Sequence, residues 1–259
     1  MDALALALLA LFASGWFVLG GADIGTGMLT PYLGRDDRER RLVIAAFAPF
    51  FLANEVWLVA LAGVLAGCFP ELEGRLLAGQ LPVLVALLAA LVVRDLGLWT
   101  RQRGPGPRWR ALCDGAVTAG SWGLALATGW LLASLLTGRP YEPAGGPAAV
   151  LTALAVAALC LAHGLGFAAL RLTAVPYERA RRLVGRTGRP WHPFALTAVL
   201  LGGLPLAAGG VLTPTAHTAG PATLRLLVPV LLAVTVPMLG VQAWLRRLFR
   251  DRVTAPTYF

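Results

Sequence analysis

Seven long apolar runs, separated by short polar clusters, organise the chain: about Leu4 to Leu33, Leu42 to Phe69, Leu77 to Thr100, Ala111 to Thr137, Pro147 to Leu170, His192 to Val211 and Ala222 to Leu245. Each is long enough for the roughly 20 residues that a helix needs to cross a hydrocarbon core. In lipid every backbone amide must be paired within its own segment, so the runs predict helices. The expected fold is an all-α, polytopic membrane bundle of about seven transmembrane helices, with no soluble domain. The first run begins almost at Met1 with no preceding Lys or Arg and no small-residue cleavage site, which reads as a retained helix.

Composition agrees: 58% of the 259 residues are hydrophobic and 14% charged. The net charge of +9 changes the picture only through its placement. All the basic residues are Arg, and they cluster in alternate connections: Arg35, Arg38, Arg40 and Arg41 in the first, Arg101, Arg103, Arg108 and Arg110 in the third, and Arg171 through Arg189 in the fifth. Arg246, Arg247, Arg250 and Arg252 lie in the tail. Connections two, four and six carry only Arg75, Arg139 and Arg225. This positive-inside pattern predicts an N-terminus outside and a C-terminus in the cytoplasm. Insertion accounts for the charge, and no nucleic acid or other polyanionic partner is required. The stretch Arg171 to Pro190 reads as a basic cytoplasmic loop with a short interfacial helix.

Charged side chains at membrane depth cost at least about 2.5 to 3.5 kcal/mol, so each marks a candidate site. Asp23 falls in the first run, Glu55 in the second, Arg94 and Asp95 in the third, Asp114 in the fourth and His163 in the fifth. At 1.5 Å per residue, Asp23 and Glu55 lie about 17 and about 21 Å from the first basic connection, at similar depth on consecutive helices. Two readings stand for this pair. They relay a proton, or each is hydrogen-bonded and locks helices together. Arg94 and Asp95 point about 100° apart, so Arg94 either meets a carboxylate elsewhere, faces a haem propionate across an interface, or snorkels to the headgroups. Asp114 is placed to pair with the arginines of the third connection. One membrane histidine, His163, cannot supply a bis-His haem site and reads as a helix-to-helix hydrogen bond. Cys68, Cys113 and Cys160 have no metal or haem spacing and read as small buried hydrophobes.

Specific strings carry a resemblance. Gly21-Ala22-Asp23-Ile24-Gly25-Thr26-Gly27-Met28-Leu29, then Gly34-Arg35 with Glu39-Arg40-Arg41, then Asn54-Glu55-Val56-Trp57-Leu58 resemble subunit II of the cytochrome bd-type quinol oxidases. Arg94, the stretch from Trp109-Arg110 through Asp114 to Gly120-Ser121, and His163-Gly164 before Leu170-Arg171 follow in the same order. The likeness covers about residues 15 to 190 of a single membrane domain spanning 1–259; helices over 191–245 match only in apolar character, and 246–259 form a tail.

The resemblance implies a scaffold for a subunit I that holds the b- and d-type haems and the quinol site, in a bacterial cytoplasmic-membrane complex that oxidises quinol and reduces dioxygen to water. It implies no cofactor bound by this chain alone, save a structural quinone in some members. It also implies proton transfer from the cytoplasm, with Asp23 and Glu55 as candidates, and structural or interface roles for Asn54, Trp57, Arg94, Asp95, Asp114, Ser121 and His163. Two departures follow. The family usually has an Asp two residues before the Asn, where this chain has Leu52; and it typically has eight helices in a longer chain, so the C-terminal packing is expected to differ. The rival reading is a stand-alone carrier or channel using Asp23 and Glu55 as coupling carboxylates, against which stands the absence of a recognisable internal repeat.

Overall fold

The computed structural model describes the chain except for Pro105, residues 186–188, Pro190, Thr213 and residues 256–259, together with the side chain of Thr215. The expected basic residue Arg186 therefore lies outside the described residues. The described part is helical, without strands. In chain order the helices are α1 (Asp2–Met28), α2 (Thr30–Leu33), α3 (Asp37–Cys68), α4 (Pro70–Gly79), α5 (Leu81–Thr100), α6 (Pro107–Leu136), α7 (Gly146–Arg171), α8 (Ala174–Val184), α9 (Trp191–Leu212) and α10 (Pro221–Leu248). Seven of them, α1, α3, α5, α6, α7, α9 and α10, are long and apolar enough to cross a membrane.

The first four runs differ from their expected bounds: the third breaks at Gln80, leaving Leu77–Gly79 in α4, the fourth begins at Pro107, and local chemistry explains the first two. The run to Leu33 breaks at Leu29, whose amide donates to Thr26 and Gly27 carbonyls, and Pro31 then opens the single turn of α2. Pro suits a first turn because its missing N–H has no intrahelical acceptor there. Helix α3 begins five residues before the apolar run. Asp36, the N-cap, accepts the Glu39 amide at 2.8 Å, while Glu39 reaches back one residue further than in a capping box and accepts the Arg35 amide at 2.8 Å. Polar residues thereby extend a helix that hydrophobicity alone would start later. A short helix does form in the fifth connection: α8, with Arg179, Arg181 and Arg182 on it.

Helix α1 is the hub, packing on α3, α6, α7, α9 and α10. Close approach in a membrane needs small residues, because lipid supplies no hydrophobic drive between helices. At the α1–α7 crossing Gly25 lies against the carbonyl of Cys160 and Gly164 lies against the backbone of Gly25 and Thr26, so a Cβ on either would overlap main chain. Nearby, Gly27 makes room for Ser121 of α6, and Gly15 for the indole of Trp57 on α3. The three cysteines are buried and unpaired.

The tail folds back on this bundle. Val253 N–H donates to the Arg171 carbonyl at 2.8 Å, Thr173 Oγ1 donates to the Val253 carbonyl at 2.6 Å, and the Arg171 guanidinium donates to the carbonyls of Phe249 and Asp251. The connections rich in arginine, α8 and this tail sit at one end of the bundle.

Candidate functional site

The segment Gly20–Met28 of α1 is buried all round, a consequence of four glycines that let neighbouring helices close in. Asp23 sits in it, 2% exposed. Asn54 of α3 donates from Nδ2 to Asp23 Oδ2 at 2.6 Å and to the Leu19 carbonyl at 3.2 Å, and Gln242 of α10 donates from Nε2 to Asn54 Oδ1 at 2.7 Å. Three helices are thus tied at one depth through one amide. The second carboxylate oxygen of Asp23 is buried without a hydrogen-bond partner.

One residue beyond Asn54, Glu55 points to the other side of α3. Its carboxylate takes the Arg94 Nη2 of α5, and Arg94 Nε donates to Asp95 Oδ1 at 3.0 Å. Arg94 is 3% exposed and its guanidinium stands 6.0 Å from the centre of the Phe51 ring. It does not snorkel: the carboxylate-facing reading is the one the geometry takes, with Asp95 sharing the same cation. Glu55 and Asp95 remain about one-fifth exposed, at the outer face that α3 and α5 present.

Asp23 and Glu55 do not touch through their hydrogen bonds, but they line one cavity of about 10 Å³, with Trp16, Asn54 and Arg94 beside them. That is about the smallest space that admits a water molecule. Two carboxyls, Glu55 and Asp95, thus pair with one guanidinium, and Asp23 shares a cavity with it. Leu52, 46% exposed, lies one turn before Glu55 on α3 and does not line that cavity.

The remaining candidates hold the bundle. Asp114 accepts Arg101 Nε at 2.6 Å and Nη2 at 3.2 Å, and Arg40 Nη1 at 3.3 Å, while Arg101 also reaches Asp37 at 3.0 Å. His163 uses both ring nitrogens: Nε2 is 3.0 Å from the Val18 carbonyl, which can only accept, and Nδ1 is 2.7 Å from Thr197 Oγ1. The ring stacks on Phe194 at 4.4 Å. Such a histidine joins α1, α7 and α9. Trp57 packs edge-on to Phe12 at 5.9 Å, and Ser121 Oγ donates to the Val117 carbonyl of its own helix while facing Gly27. Sequence reading missed Gln242, although a lone amide inside an apolar run is itself a signal, and it did not single out Arg101, which stands at the edge of its run.

A family model described as cytochrome bd terminal oxidase subunit II matches residues 1–256. The chain is similar to the cytochrome bd ubiquinol oxidase subunit 2 of Bacillus subtilis (strain 168), at 33% identity over 186 residues, 68% of this chain and 55% of the relative. It is similar to the cytochrome bd-I ubiquinol oxidase subunit 2 of Escherichia coli (strain K12), at 35% over 128 residues, 49% of this chain and 34% of the relative. A probable cytochrome oxidase subunit 2 of Haemophilus influenzae is 29% identical over 181 residues, 64% of this chain and 48% of the relative. The chain thus spans about half the length of these relatives or less. With a family match running almost end to end over a seven-span helical bundle, the chain belongs to the cytochrome bd terminal oxidase subunit II family.

Proposed function

We propose that the chain serves as subunit II of a quinol oxidase of the bacterial cytoplasmic membrane, packing against a subunit I that carries the b- and d-type haems and the quinol site. The observation that carries this reading is the ion cluster on the outer face. Glu55 and Asp95 lie partly exposed on membrane-spanning helices, where lipid makes charge costly. A second protein covering α3 and α5 relieves that cost and gives the cluster a neighbour. Carboxyls in excess of cations are the composition that a proton-holding cluster needs, and the cavity shared by Asp23 and Glu55 has room for about one water to join them. In this reading Asp23 and Glu55 pass protons toward the partner, and Leu52 is no part of the route. The carrier reading is not favoured, because the family matched over residues 1–256 and the relatives named above are oxidase subunits.

Purification through a tag on this chain tests the reading. A haem-bearing partner is expected to co-purify, with haem absorbance and quinol-driven oxygen uptake; a chain that comes alone, or with a partner free of haem, would overturn it.

The orientation proposed with it puts the arginine-rich end in the cytoplasm. Cysteines replacing exposed Arg38 and Arg108 should then resist an impermeant thiol reagent added to intact cells, while cysteines replacing Arg139 and Ala216 at the opposite end react. The reverse pattern would reject this orientation.

A further inference from the structure

A cavity of about 250 Å³ opens at the arginine-rich end, between α10 and the bundle formed by α1, α3, α7 and α9. Phe50, Phe167, Phe194 and Phe249 line it, and its inner end is closed by Asp23, Asn54 and Gln242, which hydrogen-bond in series. Its mouth is cationic. Arg171, Arg246 and Arg250 all line it.

Arg171 is the unusual member. It is 8% exposed, its guanidinium donates to the carbonyls of Phe249 and Asp251, and among the described residues its buried Nε has no hydrogen-bond partner. The ring of Phe50 lies 5.4 Å from its guanidinium carbon. No carboxylate lies within salt-bridge distance of Arg171 or Arg246 among the described residues, and Arg250 has only Asp251 at 3.9 Å, both exposed. Three guanidiniums thus gather at the mouth with one nearby carboxylate, the exposed Asp251, which leaves the mouth with a net positive charge. Below it the walls are aromatic and apolar.

That combination selects an amphiphile: an anionic head that accepts guanidinium hydrogen bonds and a hydrocarbon tail for the aromatic wall. Arg binds phosphate oxygens through paired N–H donors, and basic pockets between membrane helices on the cytoplasmic side hold anionic lipid head groups. We infer that this cavity binds one anionic phospholipid, its phosphate held by Arg171, Arg246 and Arg250 and an acyl chain lying against Phe50, Phe167 and Phe194. The inference is independent of the oxidase reading, because it needs only the arginine-rich end to lie at a membrane surface.

Native mass spectrometry of the detergent-solubilised chain, with whatever partners accompany it, tests the site. Phosphatidylglycerol is expected to be retained as a single bound lipid, and phosphatidylcholine, inorganic phosphate or a neutral isoprenoid quinone is expected not to displace it. The double variant R246Q/R250Q removes two of the cations without touching the bonds between Arg171 and the tail. It should retain phosphatidylglycerol about tenfold more weakly, the effect of roughly one lost charge-assisted hydrogen bond. Arg171→Gln should do the same or more, with release of the tail reported separately by proteolysis. Equal retention of phosphatidylcholine, displacement by phosphate or by the quinone, or wild-type retention in both variants would each overturn the inference.

Discussion

Arg94→Gln should largely abolish assembly, leaving less than about a tenth of the wild-type amount of intact complex after detergent extraction. The guanidinium is 3% exposed and is the cation shared by Glu55 and Asp95. Its loss leaves two carboxylates face to face at membrane depth. Removing one member of a buried pair costs about 3 to 5 kcal/mol, set against a total stability of about 5 to 15 kcal/mol. Arg94→Lys should recover only part, because one ammonium lacks the planar fork that serves two carboxylates from different helices. Adding Glu55→Gln to Arg94→Gln should also restore yield in part, since it removes an unpaired charge and the two sites are in contact. Arg75→Gln provides the contrast: its pair with Glu71 is 3.6 Å long, half exposed and within one helix, and such pairs contribute about 0 to 1 kcal/mol. Wild-type yield for Arg94→Gln would show that the cluster does not hold α5 to α3.

Oxygen uptake per haem should fall about tenfold or more in the complex that carries Asp23→Asn or Glu55→Gln, with yield and haem absorbance near wild type. Each amide keeps an acceptor for its donor, Asn54 in one case and Arg94 in the other, so helix packing is preserved. What each removes is the capacity to take up and release a proton, and general acid–base groups of this kind contribute typically about 10² to 10⁴ in rate. Alanine at either position separates the two roles, because it removes the hydrogen bond as well and should lower yield. Leu52→Ala should leave uptake unchanged, as that exposed side chain carries no ionisable group. Wild-type uptake in both amide variants would reduce Asp23 and Glu55 to structural groups and leave the chain a scaffold.

The spans were legible because hydrophobic length is a property of sequence alone. Their ends were less so where polar chemistry intervened, as at the Asp36–Glu39 cap, which carries α3 into a charged turn. Asp23, Glu55 and Arg94 stood out as costly residues, yet their partners did not follow from the runs. Which face of α3 meets α5 depends on how the helices rotate against each other, and a run that is apolar on every side carries no rotational signal. That is why Glu55 with Arg94, and Asn54 with Gln242 from a helix 188 positions away, emerged only from the fold. Arg94 illustrates the limit well, since snorkelling and a buried pair were both consistent with its depth and only the neighbouring Glu55 separates them.

The crossing of α1 over α7 also bears on how this chain can diverge. At Gly21 and Gly67 the nearest obstacle to a larger residue is the tip of a leucine side chain, Leu201 or Leu227, so a second substitution elsewhere can make room. At Gly25 and Gly164 the obstacle is the main chain of the opposite helix, which every amino acid has in common. No partner mutation removes it. Descendants of this sequence can therefore exchange residues in pairs around Gly21 and Gly67, while Gly25 and Gly164 have no neighbouring route of escape and change only if the two helices themselves move apart.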